Sequence, residues 1–424
     1  MLISFKIKNY RSFKEEVVFS MEADSSKLKS GNIADLELNK TNRIRILKYS
    51  MIFGANASGK TNIIRAFYSL LSSINSKPDV GERIKMYEPF LFDKCSFEAS
   101  TSFEVEFLGP NNVKHIYTVV FNGESIEKEI LNYYPQGRES NLFTRIGTNT
   151  ENSKIDIGIL GPQFNKKEIK VFNNQLLLSK FGNDEPLEEL TNVFLYFKKY
   201  EVINSANGEY RNFIEKKISE SFYSDDLLRK KLNSLIKFAD TKIAEIEIKG
   251  ADQNDDKKGG RNSFILSGLH SIYQDNVDTG EFMNLPFKEE STGTRVLFSI
   301  GGTVLSTLDK GGVLFIDELD VSLHPFLTRM LLLMFQSEKL NPKNAQLIFT
   351  THDMTLLDRD IVRRDQVWIT EKNINGTSEI FSLQDFDGVR EETPFDKWYL
   401  AGKFGGLPSI NSIDTMFEDE PSIK

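Results

Sequence analysis

Cysteine is almost absent from this sequence of 424 residues, in which Cys95 is the single example. One thiol excludes a disulfide framework and a cysteine-based metal site. Histidine is also scarce, and its four residues leave little material for a zinc site. We therefore expect a protein of the reducing cytoplasm, without structural disulfides or zinc.

Long hydrophobic runs and an excess of positive charge are missing as well. No apolar run approaches the ~18–20 residues of a membrane-spanning helix, and the alternating start, Met1 to Tyr10, lacks the apolar centre of a signal peptide. The formal net charge is −8, so no global basic surface would attract nucleic acid, although a local basic groove remains open. We expect a cytoplasmic protein with no membrane partner, and DNA is a partner that the charge does not indicate.

The most informative motif that is present is a glycine-rich loop after an apolar run. Tyr49–Phe53 predicts a buried strand, and Gly54-x-x-x-x-Gly59-Lys60-Thr61 follows it and opens an apolar helical pattern. Glycines let successive N–H groups point at phosphate oxygens, and the helix adds the positive end of its dipole. Lys60 would reach the β- and γ-phosphates, and the Thr61 hydroxyl would bind Mg²⁺. The predicted nucleotide site comprises Gly54, Ala55, Asn56, Ala57, Ser58, Gly59, Lys60, Thr61 and Asn62.

The chain divides into four regions by pattern. Residues 1–87 contain strands, the phosphate loop and its helix. Residues 88–180 alternate as antiparallel strands, including a hairpin formed by Phe103–Phe107 and Ile116–Phe121. Residues 181–262 are mainly helical and end in a charged, glycine-rich stretch at 250–262, which we expect to be a mobile loop. Alternating strands and helices return in residues 263–424.

Two further strands end in polar residues that suit the same site. The apolar run from Gly311 ends at Asp317 and Glu318, and in a parallel sheet its carboxyl end would lie beside the phosphate loop. Asp317 would then hold Mg²⁺, directly or through water, and Glu318 would polarise the attacking water. A solvated acidic turn is the alternative, which the phosphate loop disfavours. The run from Gln346 leads to His352, which would contact the γ-phosphate or the attacking water.

A turn of small residues precedes a third apolar segment. Ser291-Thr-Gly-Thr294 stands before the helical pattern Val296 to Leu308. Such a turn at a helix N-terminus can bind an anion, although plain capping is its ordinary role. One chain would then carry two phosphate-binding helix ends.

In this order the motifs resemble those of the ABC-type ATPases. The matching runs are Gly54–Thr61, Ser291–Thr294, Leu314–Glu318, Asp320 with Leu323–Pro325, and His352. The opening Phe5–Phe13 and the tail Tyr399–Ser409 are similar to the branch of repair and chromosome-maintenance heads. Within that branch the end motifs look most like the AAA15-type abortive-infection ATPases of phage defence. The resemblance covers roughly residues 1–120 and 285–410.

This resemblance implies a fold, cofactors and roles. The fold would be α/β, an ABC-type ATPase head with a mixed or parallel β-sheet core, an antiparallel β subdomain and a short helical insert. ATP and Mg²⁺ would be the cofactors, with Lys60, Glu318 and His352 as catalytic residues and Thr61 and Asp317 as metal ligands. Residues beyond the phosphate loop also receive roles. Ser291, Gly293 and Thr294 would contact nucleotide held by a partner protomer, Asp320 would lie at that interface, and Arg11 and Ser12 would lie near the α-phosphate or base.

Three functions remain open at this point. The first is a defence ATPase that forms an ATP-sandwiched homodimer or higher oligomer and regulates a separately encoded toxin or nuclease. The second is a DNA-repair ATPase that binds DNA ends or gaps, which the net acidity and the short insert disfavour. The third is a non-hydrolysing scaffold, which the intact pair Asp317–Glu318 disfavours.

Overall fold

The computed structural model describes residues 1–38, 42–147, 154–159, 169–184, 186–205, 207–239, 242–250 and 264–408. The strands in these ranges are β1 (Leu2–Lys8), β2 (Val17–Ser20), β3 (Ile33–Glu37), β4 (Arg43–Leu47), β5 (Tyr49–Gly54), β6 (Thr101–Leu108), β7 (Lys114–Phe121), β8 (Ile126–Tyr133), β9 (Ser140–Ile146), β10 (Lys154–Asp156), β11 (Tyr200–Asn204), β12 (Ile243–Gly250), β13 (Phe264–Gln274), β14 (Val277–Pro286), β15 (Val313–Asp317), β16 (Gln346–Thr350), β17 (Val367–Lys372) and β18 (Ser378–Ser382). The helices are α1 (Lys60–Asn75), α2 (Lys94–Glu98), α3 (Leu177–Asn183), α4 (Glu188–Phe197), α5 (Gly208–Ser224), α6 (Asp226–Phe238), α7 (Thr292–Lys310), α8 (Pro325–Gln336) and α9 (Phe395–Leu400). None of the helices in the described ranges has the length and apolar character needed to cross a lipid bilayer.

A six-stranded, mostly parallel sheet forms the centre of the fold. Its order is β11-β15-β16-β5-β17-β18, and only β18 runs antiparallel to its neighbour. Every residue of β5, β15 and β16 is buried, as expected for parallel strands covered on both faces. Because parallel strands end at the same edge, Gly54, Asp317 and Thr350 lie together at the carboxyl edge.

Strand β11 falls inside the segment for which the sequence predicts a helical insert. The insert does contain α4, α5 and α6, but β11 pairs in parallel with β15 from Tyr200↔Val313 to Asn204↔Asp317. The prediction of a mainly helical segment over residues 181–262 did not include this strand. A five-residue run between two helical patterns is too short for periodicity to distinguish strand from helix.

A second, antiparallel sheet has the order β10-β9-β8-β7-β6-β1-β2. The predicted hairpin is present as β6 and β7, in which buried and half-buried residues alternate as in a sheet with one covered face. Strand β1 pairs with β6, so the predicted lobe at 88–180 shares its sheet with the N-terminus. The domain boundaries themselves remain predictions.

A third sheet, β12-β13-β14, follows the helices of the insert. No pattern in the sequence predicted this sheet, which extends to Pro286, close to the turn that begins α7. Residues 251–262 of the predicted mobile loop lie outside the described part of the chain.

Helix α1 packs between the first two sheets. The ring of Phe67 stacks on Phe315 of the parallel sheet, with 4.3 Å between centroids. The same ring also forms an edge-to-face pair with Phe5 of β1, at 5.0 Å. Helices α5 to α8 belong to a separate apolar cluster with the inner residues of β15 and β16. The layers confirm the predicted α/β class with a mostly parallel core, an antiparallel part and a short helical insert.

A buried glutamine joins the antiparallel sheet to the parallel one. Gln346, at the start of β16, accepts a hydrogen bond from the N–H of Leu2 at 2.6 Å. Its amide nitrogen donates to the carbonyls of Leu2 and Leu47, each at 3.0 Å. All three residues are fully buried, so water cannot replace these bonds.

Replacing Gln346 with leucine tests this joint. The change keeps the side-chain volume but leaves the N–H and C=O of Leu2 without their partner, which we expect to lower the free energy of unfolding by about 2–4 kcal/mol. Urea denaturation measures it. Gln274→Leu, at an exposed site that ends β13, is the control and should change stability by no more than about 0.5 kcal/mol. Equal stability of the two variants would contradict the assigned role.

Candidate nucleotide site

The phosphate loop connects β5 to α1 at the carboxyl edge of the parallel sheet. Gly54 and Gly59 have φ angles of 148° and 117°, which side-chain-bearing residues rarely adopt. A Cβ at Gly54 would also stand 2.4 Å from the carbonyl oxygen of Thr370. The loop is held from the side by the Ser58 hydroxyl, which lies 2.6 Å from that of Thr370. Both glycines are therefore needed for the loop to take this path.

Lys60 lies across the mouth of the loop. Its Nζ donates hydrogen bonds to the carbonyls of Gly54 at 2.8 Å and Ala55 at 3.0 Å. The side chain is buried, and burial lowers the pKa of Lys60 although the carboxylates of Glu318 and Asp317 act in the opposite direction. A positive charge thus stands where the loop would meet phosphate, and Asp317 and Glu318 at the end of β15 balance it.

Asp317 is held by hydroxyl groups from two other elements. Its Oδ1 accepts hydrogen bonds from the hydroxyls of Thr61, at 3.1 Å, and Thr350, at 2.8 Å. Its Oδ2 lies 3.4 Å from the amide nitrogen of Asn204. A carboxylate beside a threonine hydroxyl is an oxygen donor set of the type that Mg²⁺ prefers. Asp317 and Thr61 therefore fit a magnesium site, as the sequence predicts.

Glu318 adopts a backbone conformation that non-glycine residues seldom take. Its φ is 57°, and its N–H donates to the hydroxyl of Thr350 at 2.7 Å. The same hydroxyl donates to Asp317, so one side chain fixes two consecutive acidic residues. This left-handed conformation costs on the order of 1–3 kcal/mol. Because of it, the side chains of Glu318 and Asp317 point in different directions.

Asp320 and His352 face each other beside this pair. The backbone N–H of His352 lies 3.4 Å from both carboxylate oxygens of Asp320. Burial, and next the positive charge of Lys60, lower the pKa of the His352 imidazole below its ordinary value of 6.5. The neutral imidazole is therefore favoured, and it can accept or donate a hydrogen bond at this position.

Ser291, Gly293 and Thr294 form the turn that begins α7. The Ser291 hydroxyl accepts from the N–H of Thr294 at 3.1 Å, which is an ordinary N-cap. A Cβ at Gly293 would lie 3.3 Å from the carbonyl oxygen of Ser322, so the turn lies against the loop that follows Glu318. Within the described part of the chain, no hydrogen bond links this turn to residues 54–62, and Ser291 is exposed. Its predicted contact with nucleotide on a partner protomer remains a prediction.

Arg11 and Ser12 lie on the other side of the loop. Ser12 is tied to the site, because its hydroxyl accepts from the amide of Asn62 at 2.8 Å. The guanidinium of Arg11 instead pairs with the carboxylate of Glu88, whose carbonyl also accepts from the Arg11 N–H at 2.7 Å. The structure thus brings Ser12 to the first turn of α1, whereas Arg11 already has an acidic partner.

The sequence matches the model of a known protein family. Residues 50–358 match the family described as "AAA domain, putative AbiEii toxin, Type IV TA system". The chain belongs to this family. The matched range contains the phosphate loop, the turn at Ser291, the pair Asp317–Glu318 and His352.

The solved structures that resemble this AAA-domain chain have low sequence identity to it. The SMC head domain from Thermotoga maritima is 14% identical, with a TM-score of 0.39, and the match covers 90% of this chain and 98% of that one. The recombination mediator protein RecF of the RecFOR pathway, with ATPrS, is 13% identical, with a TM-score of 0.33 and coverage of 90% and 98%. Its structure with ATP is 12% identical, with a TM-score of 0.33 and coverage of 90% and 97%. No curated protein matches the sequence significantly.

Three residues of the AAA-domain site received no role from the sequence. Thr350 fixes Asp317 and Glu318, Asn204 approaches Asp317, and Thr370 supports the loop through Ser58. Thr350 occurs in a predicted strand, and a hydroxyl in a buried strand was the available signal. Asn204 gave no signal, because β11 was assigned to helix.

The pKa of His352 is open to direct measurement. We expect the imidazole of His352 to titrate by NMR with a midpoint below 6.5, because burial and Lys60 both disfavour its protonated form. Lys60→Met should raise the midpoint, since it removes the positive charge, and the exposed Lys85→Met should leave it unchanged. A midpoint above 6.5, or one that is insensitive to Lys60→Met, would refute the proximity of these two groups.

Proposed function

We propose that the protein is an ATP-binding and ATP-hydrolysing ABC-type ATPase that assembles around ATP. The observation that carries this proposal is the contact between the hydroxyl of Thr61 and the carboxylate of Asp317. It joins the phosphate loop to the acidic strand end across one intervening strand, β16. That pairing of a loop for phosphate with oxygen ligands for Mg²⁺ suits a nucleoside triphosphate.

Each residue of the site has a separate role in hydrolysis. The loop N–H groups hold the phosphates, and Lys60 exchanges its two carbonyl partners for phosphate oxygens. Mg²⁺, when bound by Thr61 and Asp317, would neutralise phosphate charge. Glu318 accepts a proton as water attacks the γ-phosphorus, while the bond to the β-phosphate oxygen breaks and leaves ADP and phosphate. The neutral imidazole of His352 orients the water or the γ-phosphate.

A second protomer would complete the site. Ser291 is exposed. Among the described residues, no hydrogen bond joins its turn to the phosphate loop of the same chain. The turn is therefore free to meet the γ-phosphate on another copy, with Asp320 at the same interface. Because both surfaces would contact the γ-phosphate, ATP favours the closed dimer and hydrolysis opens it.

We further propose that this switch senses or regulates a separately encoded toxin or nuclease in anti-phage defence. The family description names a toxin and a toxin–antitoxin system, which supports such a context. Co-purification with the product of the neighbouring gene, with and without ATP, tests this role, and a chain that never binds that product would refute it.

Glu318→Gln tests the assigned base. The change keeps the size of the side chain but removes its ability to accept a proton, so we expect turnover to fall by about 100-fold or more with ATP affinity unchanged. Phosphate release and calorimetry measure the two quantities. The exposed Glu379→Gln is the matched control, and Lys60→Ala should lose binding itself. Native turnover in Glu318→Gln would refute the assignment of the base.

Ser291→Arg tests the two-protomer site. In the Glu318→Gln protein, ATP should enrich a dimer by light scattering, and Ser291→Arg should abolish that dimer because a bulky cation would fill the space facing the partner's nucleotide. Each monomer should still bind ATP. Ser72→Arg, at an exposed position on α1, controls for the added charge. Hydrolysis at the native rate by Ser291→Arg alone would contradict the sandwich.

A further inference from the structure

A cavity lies behind the nucleotide site, between α5, α7 and the end of β11. Its volume is about 280 Å³, close to the lower end of the ~300–1,000 Å³ typical of small-molecule sites. Its lining includes the apolar side chains of Ile203, Val296 and Ile300. Polar and charged side chains also line it, so the cavity can both bury an apolar body and orient a polar group.

Ser205 supplies an unmatched polar group to this cavity. Its side chain is 1% exposed, and its hydroxyl has no hydrogen-bond partner among the described residues. A buried hydroxyl without a partner destabilises the folded state, so its presence requires an explanation. Its backbone N–H donates to the carbonyl of Asp317 at 3.0 Å, which places this serine directly behind the magnesium ligand.

The side chains that line the cavity carry one more positive charge than negative charge. Arg295 is paired, because its Nη2 and Nε lie 2.9 and 3.1 Å from the same oxygen of Glu215. Arg211 also lines the cavity and makes no ion pair with any residue in the described part of the chain. Two guanidinium groups and one carboxylate therefore favour a ligand with a single anionic group.

We propose that this cavity binds a small ligand with one carboxylate or phosphate group and an apolar body. The anionic group would pair with Arg211 and accept the hydrogen bond of Ser205, while the body lies on Ile203 and Ile300. Such a ligand would touch the end of β11 behind Asp317 and the first turns of α7, which begins after Ser291. A change in ATP turnover on binding is the expected consequence, and this part rests on the proposed function.

The binding test uses defined probes and no nucleotide. Benzoate and phenyl phosphate represent the two anionic classes, and benzyl alcohol is the neutral control. Saturation-transfer NMR is carried out on Lys60→Met protein, so that the phosphate loop does not compete. We expect at least one of the two anions to bind with a Kd of about 1 mM and the alcohol at least 10-fold more weakly. Binding of neither anion would overturn the proposal.

Variants locate the bound probe. Arg211→Ala and Ser205→Ala, each in the Lys60→Met protein, should weaken binding at least 5-fold, whereas Lys216→Ala, an exposed change on the same helix, should not. Ser205→Ala should also raise the Tm of the free protein by about 1–2 °C, because it removes an unpaired buried hydroxyl. Unchanged affinity in Arg211→Ala and Ser205→Ala would overturn the site, and a lower Tm in Ser205→Ala would show that the hydroxyl already has a partner.

Turnover is measured separately on the chain with native Lys60. The bound anion should change its ATPase rate at least 2-fold, and Arg211→Ala should lose this response. If the probe binds but the rate is unaffected, the regulatory part is wrong and the binding site stands. If the protein does not hydrolyse ATP at all, the proposed function fails, while the nucleotide-free binding result remains a test of the cavity alone.

Discussion

The hydroxyl of Thr350 is the interaction on which the candidate site depends. It donates to Asp317 and accepts from the N–H of Glu318, so it sets both acidic residues at once. The strand that carries it, β16, lies between the strand of the phosphate loop and the strand of the carboxylates. At its other end Gln346 bonds to the backbone of Leu2. One five-residue strand therefore ties the antiparallel sheet to the nucleotide site.

Two residues at this edge have backbone conformations that non-glycine residues seldom adopt. Ala57 in the phosphate loop and Glu318 after β15 have φ angles of 63° and 57°, a region that costs a non-glycine residue on the order of 1–3 kcal/mol. Neighbouring contacts maintain both: Ser58 bonds to Thr370, and Thr350 holds the N–H of Glu318. These strained residues lie at the open edge of the sheet. A ligand bound there would replace the present contacts of Lys60.

The helical insert is connected to the nucleotide site by the continuous chain, by a hydrogen bond and by an ion pair. Strand β11 leads from the parallel sheet into α5, and the Ser205 N–H donates to the carbonyl of Asp317. Helix α5 in turn pairs with α7 through Glu215 and Arg295, the residue after Thr294. The turn proposed to meet a partner's nucleotide and the proposed magnesium ligand thus share a boundary with the same cavity.

The sequence by itself determined the local parts of this protein. The loop from Gly54 to Thr61 and the strand ending at Asp317 and Glu318 are contiguous runs whose conformation follows from glycine placement and an apolar strand. Only the tertiary structure decided how they meet. The link through Thr350, the place of β11 beside β15 and the unpaired hydroxyl of Ser205 depend on residues distant in the chain. Periodicity reports which face of an element is buried, but strand order and side-chain partners are decided by packing between elements.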